Sequence, residues 1–125
     1  MQLLGDLRAL LDDAFGRYPV DRTRVYLTGL SVGGYGAWRL ASAYPELFAA
    51  LVPVCGGGDP DRACTLEEVP TWAFHGAKDE VVPPSESVRM VEALEQCGGD
   101  VRLTLYPDLA HNAWTRTYAN MELYA

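Results

Sequence analysis

Leu3, Leu4, Leu7, Leu10, Leu11, Ala14 and Phe15 recur at three- and four-residue steps with charged residues between them. That spacing lays an apolar stripe along one side of an α-helix, and the pattern stops near Tyr18-Pro19. Arg24-Val25-Tyr26-Leu27-Thr28 is short, β-branched and aromatic, is bounded by Gly29, and reads as a buried strand. A second helix is expected from about Gly33 to Tyr44, because Pro45 disfavours a helical residue before it. Ala49 to Val54 is a continuous apolar run that predicts a strand, Gly56-Gly57-Gly58-Asp59-Pro60 predicts a turn, and Thr71 to Phe74 predicts a further strand. Ser85 to Gln96 carries Val88, Val91 and Leu94 on one helical face and stops at Gly98-Gly99. Val101 to Tyr106 alternates as a strand, and the tail from Trp114 to Ala125 reads as helical at its end. Strands separated by helices or long crossovers imply an α/β fold. Its sheet should be mostly parallel and flanked by helices on both faces, with ligands at the C-terminal strand ends.

At 125 residues and 49% hydrophobic content, the chain fits one globular domain without repeats, linkers or low-complexity segments. Seventeen acids against ten bases give a formal charge of −7, which repels a phosphate backbone, and the arginines are scattered rather than gathered. Nucleic acid is therefore not an expected partner. No apolar run approaches the roughly 20 residues of a membrane helix, and the first residues lack the basic start and apolar stretch of a signal peptide. Cys55, Cys64 and Cys97 show no paired framework and no metal-ligand spacing, so small buried hydrophobes or an incidental thiol are expected, and no metal site. The alternative is a Cys55–Cys64 bridge, which would imply an oxidising compartment.

Gly29-Leu30-Ser31-Val32-Gly33 matches G-x-S-x-G. A nucleophilic serine on a sharp strand-to-helix turn needs small residues two before and two after it, so that strand and helix can approach. Chance alone supplies the pattern in about one chain of this length in twenty, so context decides. A strand before and a helix after are both read from periodicity alone. The bland reading is a Gly-Ser turn that caps a helix.

A hydroxyl is a weak nucleophile and needs a base, which in turn needs an orienting carboxylate. The chain has two histidines, His75 and His111. In hydrolases with this elbow the order along the chain is nucleophile, acid, histidine. An acid serving His75 would have to come from the turn segment of Asp59 to Glu68. His111, in the loop after the last strand, can instead be served by Asp79 in the loop after the Thr71 to Phe74 strand. Ser31, Asp79 and His111 are thus the expected triad. His75 is left as a partly buried imidazole satisfying backbone groups, and Glu80 is the rival to Asp79.

Arg24 to Trp38, reading RVYLTGLSVGGYGAW, closely resembles the elbow of bacterial esterases related to dienelactone hydrolases, phospholipase/carboxylesterases and peptidase-like hydrolases. His75-Gly76-Ala77-Lys78-Asp79-Glu80-Val81-Val82-Pro83 resembles their acid loop, where the aspartate is the triad member. Tyr106-Pro107 followed by Ala110-His111-Asn112-Ala113-Trp114 resembles their histidine loop. The resemblance covers nearly the whole chain and implies a partial α/β-hydrolase fold. Val32 stands where such families often carry methionine or glutamine. Nothing corresponds to the front strands or to the loop with a second oxyanion donor. The expectation is therefore a fragment of one domain, with any leader in the absent part and the compartment unassigned. Val25, Tyr26 and Leu27 would then form an exposed edge strand, open to self-association.

The expected function is hydrolysis of a carboxylic ester through an acyl-enzyme, with no metal or organic cofactor. His111 moves the proton, Asp79 fixes its tautomer, and the Val32 N–H stabilises the oxyanion, with Gly29 and Gly33 shaping the elbow. Tyr35, Trp38 and Trp114 could border a substrate pocket or belong to the core. Short connections after Val54 and Phe74 suggest open access for small or polymer-attached esters. An oligopeptidase-type peptidase and a non-catalytic module that keeps the elbow are the other readings.

Overall fold

The computed structural model describes residues 2–125, and side chains from Leu4 onward, so Leu3 of the first apolar stripe lies outside the described side chains. In chain order the elements are α1 (Gln2–Arg17), β1 (Tyr26–Leu30), α2 (Val32–Ala43), β2 (Ala50–Val54), β3 (Thr71–Gly76), α3 (Ser85–Gln96), β4 (Val101–Tyr106) and α4 (Trp114–Ala119). Short 3-10 helices cover Pro45–Leu47, Pro60–Leu66 and Met121–Tyr124. The expected α1 to α3 and β1 to β4 lie within about two residues of those observed, whereas Pro60–Leu66 read as a turn, Pro45–Leu47 was not expected, and in the tail α4 begins at Trp114, ahead of the helical end that was expected.

The four strands pair in the order β1-β2-β3-β4, all parallel. Each crossover steps the same way across the sheet, and right-handed crossovers then place every connection on one face. That face buries Trp38, Leu51, Leu66, Ala73, Met90 and Leu94, with Leu4, Leu7 and Leu11 of α1 packed on the same cluster. Full burial of each large side chain contributes about 1.5–3 kcal/mol. Leu10 flanks this stripe and is 65% exposed, contrary to its place in the periodic pattern. Val54, Phe74, Tyr106 and Ala113 form a second layer on the opposite face, covered by Trp114 and Tyr118 of α4 and by Leu123. Helices on both faces are thus confirmed, though among the described residues only the chain after β4 supplies the second side.

Two expectations fail. β1 is not buried: it pairs with β2 alone among the described residues, its exposure alternates, and Tyr26 is 61% exposed. The expectation of unpaired cysteines holds for Cys55 but fails for Cys64 and Cys97, and the alternative Cys55–Cys64 bridge is excluded too, because Cys55 is fully buried in the second layer whereas Cys64 lies in the 3-10 helix beside α3. Ala63 and Leu66 of that 3-10 helix pack with Val91 and Leu94 of α3. This packing brings Cys64 to Cys97, just past the end of α3, and the two form a disulfide with Cα atoms 5.5 Å apart. The sequence showed no paired framework because 33 residues separate these cysteines, and only tertiary packing brings them together.

Closing a loop of that length removes about 3 to 4 kcal/mol of denatured-state entropy. Cys64→Ser should lose this much stability in denaturant titrations under oxidising conditions, and a reductant should then change nothing further. A loss under 0.5 kcal/mol would mean the bridge contributes nothing.

Candidate active site

In-register parallel strands bring their C-terminal ends to one edge. Leu30 pairs with Val54, Val54 with Phe74 and Phe74 with Thr104, forming one row. The ladder continues beyond it: Ser31 N–H donates to the Val54 carbonyl at 2.9 Å, Cys55 N–H to Phe74 at 2.8 Å and Ala77 N–H to Tyr106 at 2.9 Å. Ser31 and the loops bearing Asp79 and His111 therefore leave the sheet side by side.

Ser31 has φ 56° and ψ −118°, a left-handed conformation that a non-glycine residue rarely adopts, and α2 begins at the next residue. A side chain at Gly29 would collide with the Gly33 carbonyl, so the tight turn demands glycine there. Gly33 itself faces open space, so smallness at that position is not required by the surrounding atoms. A second close approach was not legible in the motif: a Cβ on Gly34 would lie 2.6 Å from the Val54 carbonyl oxygen, and one on Gly56 would lie 2.6 Å from the Gly34 carbonyl carbon.

His111 Nε2 lies 2.9 Å from Ser31 Oγ, and its Nδ1 lies 2.8 Å from Asp79 Oδ2. Asp79 Oδ1 accepts from the Val81 and Val82 N–H groups at 2.9 and 2.8 Å. Burial pushes the Asp79 carboxyl up, but the bonds from His111, Val82 and Val81 together outweigh it and hold the group below its ordinary value. An ionised Asp79 accepts only, so Nδ1 of His111 carries the hydrogen and Nε2 is left to accept from the Ser31 hydroxyl. Glu80, the rival acid, is exposed.

The acid and base loops lock together. Lys78 N–H donates to the Leu109 carbonyl at 2.9 Å, and a Cβ on Gly76 would run into the Leu109 and Ala110 carbonyls. Gly76 is thus a site residue that the sequence showed only as part of the acid-loop motif.

Val32, the first residue of α2, is 84% exposed, and its N–H has no helical carbonyl to bond. Tyr35 donates its hydroxyl to Glu86 at 3.2 Å, and burial followed by the Glu86 charge pushes its pKa up. Val32 and Tyr35 also line a groove of about 670 Å³ with Trp38, Arg39, Gly57 and Arg62, whereas Ser31, Asp79 and His111 do not line it. Trp38 is fully buried and belongs to the core. Trp114 stands edge-on to the His111 ring at 5.5 Å and also packs in the second layer.

Cys55, Asp79 and His111 each bring one potential ligand atom within 4.8 Å of the others. They fit a metal poorly. Burial pushes the Cys55 thiol up, whereas a ligand must be a thiolate, and the Asp79 and His111 atoms already bond each other and Ser31.

A parallel sheet with a left-handed serine between strand and helix, and with a carboxylate and an imidazole beyond the C-terminal ends of two further strands, defines the α/β-hydrolase class of protein. Residues 1–124 match the phospholipase/carboxylesterase family, and the chain belongs to it. A thermostable esterase of known structure superposes with a TM-score of 0.95 at 37% identity, over 99% of this chain and 35% of that one. A poly(3-hydroxyalkanoate) depolymerase C from Paucimonas lemoignei is 35% identical over 51 residues, 41% of this chain and 12% of that protein. A poly(3-hydroxyoctanoate) depolymerase from Pseudomonas fluorescens is 36% identical over 86 residues, 62% of this chain and 30% of that protein. The chain therefore spans about a third or less of these relatives.

Gly76→Ala should push the Leu109–Ala110 backbone away and draw His111 off Ser31. The deshielded Nδ1 proton of His111 should be lost from NMR spectra, and Ser31 reactivity should fall about 10²-fold. A wild-type spectrum would disprove the interlock. Because its pKa is depressed, Asp79 contributes stability that is present above the ordinary value of 3.8 and lost as pH falls below it. Acid titrations of stability should accordingly be shallower in Asp79→Asn below pH 3.8 than in the wild type.

Proposed function

We propose that Ser31, His111 and Asp79 are the catalytic triad of a serine esterase that cleaves carboxylic esters through an acyl-enzyme. The line of hydrogen bonds from Asp79 through His111 to Ser31, at 2.8 and 2.9 Å, is the observation that carries the reading. As Ser31 Oγ attacks the ester carbonyl carbon, His111 Nε2 takes its proton. The carbonyl π electrons move to oxygen, where the Val32 N–H at the start of α2 meets them. Collapse of the tetrahedral intermediate breaks the bond to the alcohol oxygen, which leaves with the proton from His111. Water then repeats the sequence on the acyl carbon, giving its proton to His111 and releasing the acid and free Ser31. Asp79 stays ionised throughout and stabilises the imidazolium. No metal or organic cofactor enters these steps.

For substrate, the reading favours small or polymer-attached esters. Short connections separate β2 from the 3-10 helix Pro60–Leu66 and β3 from α3, and this supports the reading of open access. Two relatives are depolymerases of poly(3-hydroxyalkanoate) and poly(3-hydroxyoctanoate), chains of ester units. Trp114, edge-on to the His111 ring, and Tyr35, in the first turn of α2, are aromatic groups that such a chain would meet. No described helix is long and apolar enough to cross a membrane. Among the described residues β1 is paired on one side alone, with Tyr26 61% and Leu30 37% exposed, and this edge supports self-association of the chain.

A fluorophosphonate should label the chain at Ser31, mapped by peptide mass. Ser31→Ala should abolish labelling, and His111→Ala or Asp79→Asn should slow it about 10⁴-fold. Labelling elsewhere, or none, would refute the assignment. Faster turnover of a peptide anilide than of a short aryl ester would favour the oligopeptidase reading.

A further inference from the structure

His75 takes no part in that chemistry, yet it is wholly buried beside it at the end of β3. Its Nδ1 lies 2.7 Å from Ser87 Oγ in the first turn of α3, and Ser87 reaches the Gly56 carbonyl after β2 at 3.1 Å. Its Nε2 lies 2.8 Å from the Val82 carbonyl oxygen and 3.3 Å from Asp79 Oδ2. A carbonyl only accepts, so Nε2 carries a hydrogen and donates it.

These contacts close a ring. Val82 donates its N–H to Asp79 Oδ1 and accepts at its carbonyl from His75 Nε2–H, and Nε2 stands 3.3 Å from Asp79 Oδ2 without a hydrogen bond to it. Without His75, the Val82 carbonyl would lose its donor, and the Val82 N–H that holds Oδ1 would be free to shift. The carboxylate could then turn about its Cβ–Cγ bond.

We propose that His75 is a positioning residue for the reaction, its Nε2–H holding the Val82 carbonyl so that the Val82 N–H fixes the plane of the Asp79 carboxylate that holds His111 against Ser31. The inference rests on the esterase reading of Ser31. A carboxylate turned out of that plane lets the imidazole tilt, and misplacement by about 1 Å costs roughly 10²-fold in rate.

The test uses the full chain and the rate of Ser31 labelling by a fluorophosphonate. His75→Gln sets an amide N–H near the ring's Nε2, whereas His75→Asn reaches only to Nδ1. The Gln variant should react near the wild-type rate and the Asn variant about 10²-fold slower, with matched melting temperatures. Equal slowing of both, as a packing role would give, or no slowing of Asn, overturns the proposal. Nitrogen-15 NMR of the wild type should show His75 protonated at Nε2, and an unprotonated Nε2 overturns it even if neither variant folds. Absence of labelling in the wild type would instead sink the esterase reading, while the tautomer measurement would still test the His75 bond.

Discussion

The Asp79 side chain has no exposed surface, and burial alone would drive its carboxyl toward the neutral acid. A buried carboxylate stays charged only where donors replace the lost water, at a desolvation cost of several kcal/mol per ion. Hydrogen bonds from His111, Val82 and Val81 supply that replacement. A neutral Asp79 would cease to dictate which nitrogen of His111 carries hydrogen, and Ser31 would lose its acceptor. The acid loop and the base loop interlocked with it place the donors that hold this one charge.

Backbone proximity makes that possible. Parallel strands in register deliver Ser31, the acid loop and the base loop to one edge, with the ladder running on past each strand end. Glycine then removes the side chains that would keep these segments apart: Gly29 under the elbow, Gly34 against Gly56 between α2 and the loop after β2, and Gly76 under the base loop. The left-handed turn at Ser31 is a local cost that the surrounding ladder and α2 hold in place. At the far side of the helical layer the Cys64–Cys97 bridge ties the 3-10 helix to the end of α3, which carries Ser87 in its first turn.

Much of this was legible from residue pattern. Periods of 3.6 and 2 located the helices and strands, since burying one face is a local property of each segment. The elbow motif and the order Ser31, Asp79, His111 identified the three side chains that the structure places in line. The acid-loop resemblance favoured Asp79 over Glu80, and the structure adds that Glu80 is exposed, while only the coordinates place His111 rather than His75 beside Ser31. His75 has Asp79 within 3.3 Å as well, so proximity to the acid alone does not separate the two histidines; contact with Ser31 does.

By itself, then, the sequence determined the element order, the parallel α/β class and the elbow, because local periodicity, turn chemistry and short motifs act over a few residues. Tertiary structure alone decided the pairing of Cys64 with Cys97, the half-exposed state of β1, the need for glycine at 34, 56 and 76, and the bracket around His75. Each depends on segments far apart in the chain coming within a bond's length or a van der Waals contact. No local pattern encodes such a distance.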